Sequence, residues 1–305
     1  PTFGWLFVGR TISGITGASF TTASAYIADI SDEKTRAKNF GLVGAAFGLG
    51  FIIGPAIGGL LSGWGIRAPF FAAAILSLLN WIYGYFVLPE SLSREHRRPF
   101  SWKRANPLGS LMHLKHYPAL AGLIVALALV YLGSHAVQSN WSYFTMYRFK
   151  WTPRTVGISL AVVGALVALV QGVLIRWITP RIGNEKSIYI GLLLYAAGMF
   201  LFAFSNQSWM MFVFLIPYCL GGIAGPALQA IMSGNVPRNA QGELQGALTS
   251  IMSLTSIVGP LLMTNLFAFF TSIQAPVLFP GAPFLLGGLL MLASSIVAYK
   301  SLKQN

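Results

Sequence analysis

Acidic residues are scarce in this chain, with seven Asp and Glu among 305 residues against 20 Lys and Arg. Cysteine is nearly absent, Cys219 standing alone, which excludes disulfides within the chain and cysteine-based metal sites. Charged residues make up 9% of the chain and hydrophobic residues 55%, so a water-soluble domain of this length would have too little polar surface to cover itself. The few acids are also placed away from the apolar interior. Asp29, Asp32, Glu33, Glu90, Glu95, Glu185 and Glu243 all fall at the ends of apolar runs or between them. The runs hold no cluster of His, Cys and carboxylate, no nucleophile motif and no phosphate loop, so a membrane-embedded enzyme has no support and no cofactor is implied. His113 and His116 are two ligands in a basic loop, too few for a metal site.

What the chain has in quantity is length of apolar run. Segments of roughly 17–25 apolar residues cross a bilayer as helices. They are expected here at 3–27, 40–61, 68–88, 118–137, 156–175, 187–204, 209–232, 244–270 and 281–299, which makes nine helices of an all-α integral membrane protein. The basic residues report orientation. If the loop at 28–39 is cytoplasmic, the opposite side holds only Arg67, Arg148, Lys150 and Arg154, Arg10 lies inside a span, and the other Lys and Arg are cytoplasmic. That asymmetry satisfies the positive-inside rule and leaves nucleic-acid binding without support. The bilayer is the expected partner.

An internal repeat indicates the architecture. In one ungapped register Gly17 meets Gly222, Ala25 meets Ala230, Gly41 meets Gly246, Leu49 meets Leu254, and Gly54-Pro55 meets Gly259-Pro260. Parallel repeats related by an axis along the membrane normal are a transporter architecture. Three helices precede the matching pair in the second copy, so three more are expected ahead of Pro1, for twelve in two pseudo-symmetric six-helix halves. The expected divisions are 1–88 for the rest of the first half, 89–117 for a cytoplasmic inter-half loop, and 118–305 for the second half.

The stretch at 47–61 places glycines in an apolar run. Gly50, Gly54 and Gly58 recur every fourth residue on one helix face, which lets a neighbouring backbone approach closely. Pro55 removes a helical hydrogen bond and invites a kink. The face is read as a surface on which one half slides against the other, with static small-residue packing as the alternative. Gly48-Leu-Gly50 followed by Gly54 imitates a dinucleotide fingerprint, but it has no strand before it and carries no weight.

The pattern Gly50-x-x-x-Gly54-Pro55-x-x-Gly58-Gly59 resembles the signature of drug–proton antiporters of the major facilitator superfamily. "GRTISGITGA" at 9–18, "AYIADI" at 25–30, "LPES" at 88–91, "GGIAGPALQAIMS" at 221–233 and "QGELQGAL" at 241–248 are similar to its tetracycline-efflux branch. The resemblance implies a major facilitator fold of which nine of twelve helices are present, alternating access, and export of a small molecule in exchange for protons across the inner membrane by a monomer. An uptake carrier on the same fold is the alternative. In the branch a histidine stands where this chain has Val167, and an aspartate where it has Tyr195. Both belong to the drug or proton path of the family. The coupling carboxylate is therefore expected ahead of Pro1, and the cargo is expected to be less charged than a metal-chelated tetracycline. The resemblance also implies a cytoplasmic charge latch, with Asp29, Arg36 and Arg181 as its members; a solvated loop with incidental ion pairs is the alternative.

Polar residues within the runs mark the candidate cavity. His135, Gln138 and Ser142 share one helix face, and Gln171 and Gln229 are single amides in apolar helices. Helix–helix hydrogen bonding is the other reading for the amides, and a solvated place near a helix end is the other reading for His135. Arg10 lies about seven residues inside its span, where it either serves a partner or substrate or snorkels to the surface. The topology is tested by cysteine labelling. Ser101→Cys and Ser272→Cys should react from opposite sides of the membrane, and labelling of both from one side would overturn the assignment.

Overall fold

The computed structural model describes residues 3–17, 67–91, 118–235 and 241–303, with isolated positions between 22 and 65. Every regular element among them is helical: α1 (Phe3–Ile15), α2 (Ala68–Val87), α3 (Pro118–Phe149), α4 (Pro153–Leu169), α5 (Ile175–Ile182), α6 (Asn184–Ala203), α7 (Ser208–Leu220), α8 (Ala224–Gly234), α9 (Gln241–Thr271) and α10 (Ala282–Lys303). A π-helical segment, Val170–Leu174, joins α4 to α5, and a 3₁₀ turn, Gly221–Ile223, joins α7 to α8. The chain falls into two compact units, Pro1–Phe47 with Leu61–Phe100, and Gly48–Leu60 with Ser101–Asn305.

Seven helical stretches among the described residues are long and apolar enough to cross a membrane: Ala68–Val87, Leu120–Phe149, Pro153–Ile182, Asn184–Ala203, Ser208–Gly234, Leu244–Thr271 and Ala282–Lys303. The expected count of nine is not reached there. The run expected at 3–27 is described as the 13-residue α1, and that at 40–61 only through isolated helical positions. One boundary is corrected. The span expected to end at 137 continues to Phe149, because its polar stretch from His135 to Ser142 is carried through by buried aromatic neighbours.

Local chemistry sets the ends of these helices. After α3 the chain reverses at Lys150, whose φ of 56° is left-handed, and the Trp151 amide donates to the Thr145 carbonyl at 3.4 Å. The Thr152 hydroxyl then accepts from the Thr155 amide and caps α4, with Pro153 in its first turn, where a missing N–H costs nothing. Gly183, at φ 82°, ends α5 and opens α6, a conformation that glycine adopts without strain.

The core of the second unit is built by α3, α6 and α10 with the span 208–234 around them. Phe144, Phe202, Phe284, Leu192, Met199 and Met211 are fully buried. Helices α3 and α10 run antiparallel. Gly122 meets Ser301 near one end, Gly133 and Gly287 bring the backbones together in the middle, and the rings of Phe144 and Phe284 stand 4.9 Å apart near the other. A Cβ on Gly133 would lie 3.2 Å from the Gly287 carbonyl oxygen. Ser294 donates to the Ala126 carbonyl across this seam at 2.8 Å. The Trp141 indole donates to Ser159 at 2.8 Å, and Ser159 in turn donates to the Val156 carbonyl. Interhelical hydrogen bonds of this kind contribute about 1 kcal/mol each in a membrane. At the same end Trp141, Phe149, Trp151, Phe202 and Phe212 form edge and tilted ring contacts, and Trp151 is held by Ser208 at 2.6 Å.

One side chain in this core is not satisfied. Asn140 is fully buried on α3, and among the described residues neither atom of its amide has a hydrogen-bond partner. Asn140→Val removes both polar atoms with a side chain of similar size, and it should stabilise the protein by about 1–3 kcal/mol, read as a raised Tm in detergent. A lowered Tm would mean that the amide is paired in the folded protein.

Candidate functional site

Two interruptions of helical geometry face each other in the second unit. In the span 153–182 the Ile175 amide reaches back five residues to the Val170 carbonyl, which defines the π segment and carries Gln171 and Gly172. Such wide turns concentrate at functional sites. In the span 208–234 Pro217 removes an amide inside α7, and the Ala224 amide bonds the Gly221 carbonyl in a tight 3₁₀ turn. Irregular backbone at membrane depth is tolerated where protein or a polar cavity covers it.

Glycines fix what lies between the two turns. A Cβ on Gly221 would stand 2.5 Å from Cγ of Tyr195 and 2.9 Å from the Gly191 carbonyl. Likewise, a Cβ on Gly191 would lie 2.8 Å from the Ala224 amide nitrogen, and one on Gly198 the same distance from the Tyr218 backbone. Helix α6 therefore packs backbone against backbone on the span 208–234, and this seats Tyr195 beside the turn. Gly222 is different. The space over its α-carbon is bordered by the Gln171 amide nitrogen and the Tyr195 hydroxyl, each 3.8 Å from where a Cβ would be. Two hydrogen-bonding groups from separate helices thus converge on one bare backbone position.

The face of α3 supplies the remaining polar groups. Tyr131, His135, Gln138 and Ser142 follow helical spacing along one side. Tyr131 on α3 and Gln229 on α8 lie close enough to interact, and sequence reasoning missed Tyr131. Gln138 and Gln171 are exposed. His135 lies in the middle of the Leu120–Phe149 span at 8% exposure, unlike the alternative of a solvated place near a helix end. Its ring packs on Gly259 of α9, where any Cβ would overlap the ring carbons. Val167 sits one turn before Gln171, half-buried, and adds only apolar surface.

The other expected residues are placed as follows. Arg10 is exposed on α1. Arg181 is exposed at the end of α5, its guanidinium lying 5.2 Å over the Trp177 ring while Nη1 donates to the Trp177 carbonyl at 3.2 Å. Asp29 and Arg36, its expected latch partners, lie outside the described residues, as do Pro55 and Gly59. Gly50, Gly54 and Gly58 are helical, and among the described residues nothing stands within 4 Å of a Cβ on any of them. No group of three or more His, Cys, Asp or Glu that could hold a metal occurs among the described residues.

Comparison with known proteins gives a consistent result. The model of the Major Facilitator Superfamily matches residues 1–176 and 123–303. The chain is 41% identical to the tetracycline resistance protein, class C, of Escherichia coli over 268 residues, covering 88% of this chain and 67% of that protein. It is 37% identical to the class G protein of Vibrio anguillarum, covering 88% and 68%. It is 28% identical to the human hippocampus abundant transcript 1 protein, covering 96% and 66%. Among solved structures, the human organic anion transporter MFSD10 (TETRAN) superposes with a TM-score of 0.76 at 23% identity, covering 97% of this chain and 71% of that one.

The adjacent glycines of the 3₁₀ turn should respond differently to one added methyl. Gly221→Ala forces Tyr195 and α6 aside and should cost about 1–3 kcal/mol by overpacking, whereas Gly222→Ala enters ordinary contact and should leave Tm nearly unchanged. Thermal unfolding in detergent measures both, and equal shifts would contradict the geometry.

Proposed function

The chain belongs to the Major Facilitator Superfamily, and from that premise we propose that it exports amphipathic, drug-like molecules in exchange for protons by alternating access at the cytoplasmic membrane. Similarity to tetracycline resistance proteins over most of the chain supports drug export. The observation that carries the choice of cargo is the convergence of the Gln171 amide and the Tyr195 hydroxyl over Gly222. These groups donate and accept hydrogen bonds without charge. A neutral polar group on an otherwise apolar molecule fits them, with apolar side chains such as Val167 against the remainder.

The same groups argue against a cation as cargo. A charge drawn into a low-dielectric site loses several kcal/mol if no counter-charge meets it, and at the positions of Val167 and Tyr195 this half offers none. Proton coupling needs a titratable group whose protonation changes between the two access states. His135, buried against Gly259, is the group of that kind in the second half, and a carboxylate of the first half is the other. Gly50, Gly54 and Gly58 supply a smooth helix face for movement, and Arg10 a fixed positive charge for a carboxylate or an anionic part of the cargo.

Drug-gradient growth of a pump-deficient bacterial host carrying the full-length protein tests this reading. Resistance to hydrophobic dyes or phenicols is expected with little for tetracycline. Tyr195→Phe and Gln171→Ala should each reduce that resistance about tenfold, the loss of one hydrogen bond, with abundance unchanged in membrane fractions. Strong tetracycline resistance alone would overturn the cargo assignment, and substrate accumulation in place of expulsion would favour the uptake carrier.

A further inference from the structure

A basic and aromatic patch lies where α6 begins and α10 ends, and the transport reading does not use it. Lys186 and Tyr189 stand on the first turns of α6, and Tyr299, Lys300 and Lys303 on the last turns of α10. The Lys303 ammonium lies 4.6 Å over the Tyr299 ring, and the rings of Tyr189 and Tyr299 meet edge to face at 5.6 Å. The three lysines are exposed, and no carboxylate among the described residues pairs with them. Among the described residues Glu185 is the acid beside the patch, close enough to act on Tyr189, and against three lysines it leaves the cluster net positive.

The patch continues into an apolar track. One turn deeper than Tyr189 lies Leu193, and one turn deeper than Tyr299 lies Ile296, exposed by 50% and 58%. The order along the seam is therefore ammonium groups, then phenol rings, then branched aliphatic side chains. That order matches the layers of a phospholipid, from headgroup phosphate through the interfacial belt to acyl chain. We propose that this seam binds an anionic phospholipid, its headgroup phosphate held by Lys186 and Lys303 with the tyrosine hydroxyls beside it, and one acyl chain along Leu193 and Ile296. The inference stands on the membrane-spanning fold alone and not on the cargo assignment.

A control is available within the same unit. Lys150 lies 5.6 Å over Tyr147 after the far end of α3, a similar local pairing without the second lysine-bearing helix. Native mass spectrometry of the purified full-length protein, titrated with phosphatidylglycerol or phosphatidylcholine, reads the affinity for each. Phosphatidylglycerol should bind more tightly. The double variant Lys186→Gln, Lys303→Gln should weaken it about 30-fold, as two interfacial basic residues imply, and Lys150→Gln should not. Thermal unfolding of each variant without added lipid checks that the fold is intact. Equal affinity for both lipids, equal loss in Lys150→Gln, or an equal Tm rise with inorganic phosphate alone would overturn the proposal.

Discussion

Contact between helix backbones, made possible where glycine leaves no side chain, is the constraint on which the rest of the second unit depends. Lipid is as apolar as leucine, so burying leucine against leucine gives membrane helices little reason to associate. Close approach restores one through dispersion and weak hydrogen bonds. Gly133 and Gly287 do this for α3 and α10, and Gly191, Gly198 and Gly221 for α6 and the span 208–234. The position of Tyr195, the seat of His135 on Gly259 and the edge-to-face contact of Phe144 with Phe284 all follow from how near those backbones come.

The polar groups divide into two kinds on this scaffold. Ser294, Trp141 and Ser159 spend their hydrogen bonds between helices and hold the bundle together. Gln171 and Tyr195 reach the edge of the 3₁₀ turn, and neither carries a charge. An arrangement of this kind discriminates by hydrogen-bond geometry and by shape. A methylene more or less changes affinity only modestly in such a place, while an unmatched polar group is rejected strongly. Breadth toward apolar bodies combined with selectivity toward one polar function follows from that asymmetry.

Much of the fold was legible in the sequence, for physical reasons that differ by element. The spans from Pro153 to Lys303 follow from apolar length, whereas the ends of α4 and α5 at Thr152, Pro153 and Gly183 emerged only from the structure. The glycine-proline motif and the runs resembling tetracycline efflux pointed to the superfamily that the comparisons returned. The reach of α3 to Phe149 was not legible, because hydropathy falls at His135–Ser142 while the tertiary neighbours of Trp141 and Phe144 keep the helix going. Gln171 and Gln229 were visible as isolated amides. Their company was not: Tyr131 and Gly222 become polar-site members only through contacts between distant segments. The π segment leaves no mark on periodicity, since one extra residue in a run of valines and leucines looks like any other.

That extra residue has a geometric consequence of its own. Each residue of an α-helix turns the chain by about 100°, and the π segment takes up one residue more than regular winding would. Everything on α5 is therefore rotated relative to α4 by that amount, Arg181 and Trp177 included. A deletion of one residue within Val170–Leu174 would not shorten the span appreciably. It would re-aim its basic end by more than a quarter of a turn, so the segment sets an azimuth, much as a key sets the angle of a shaft in its hub.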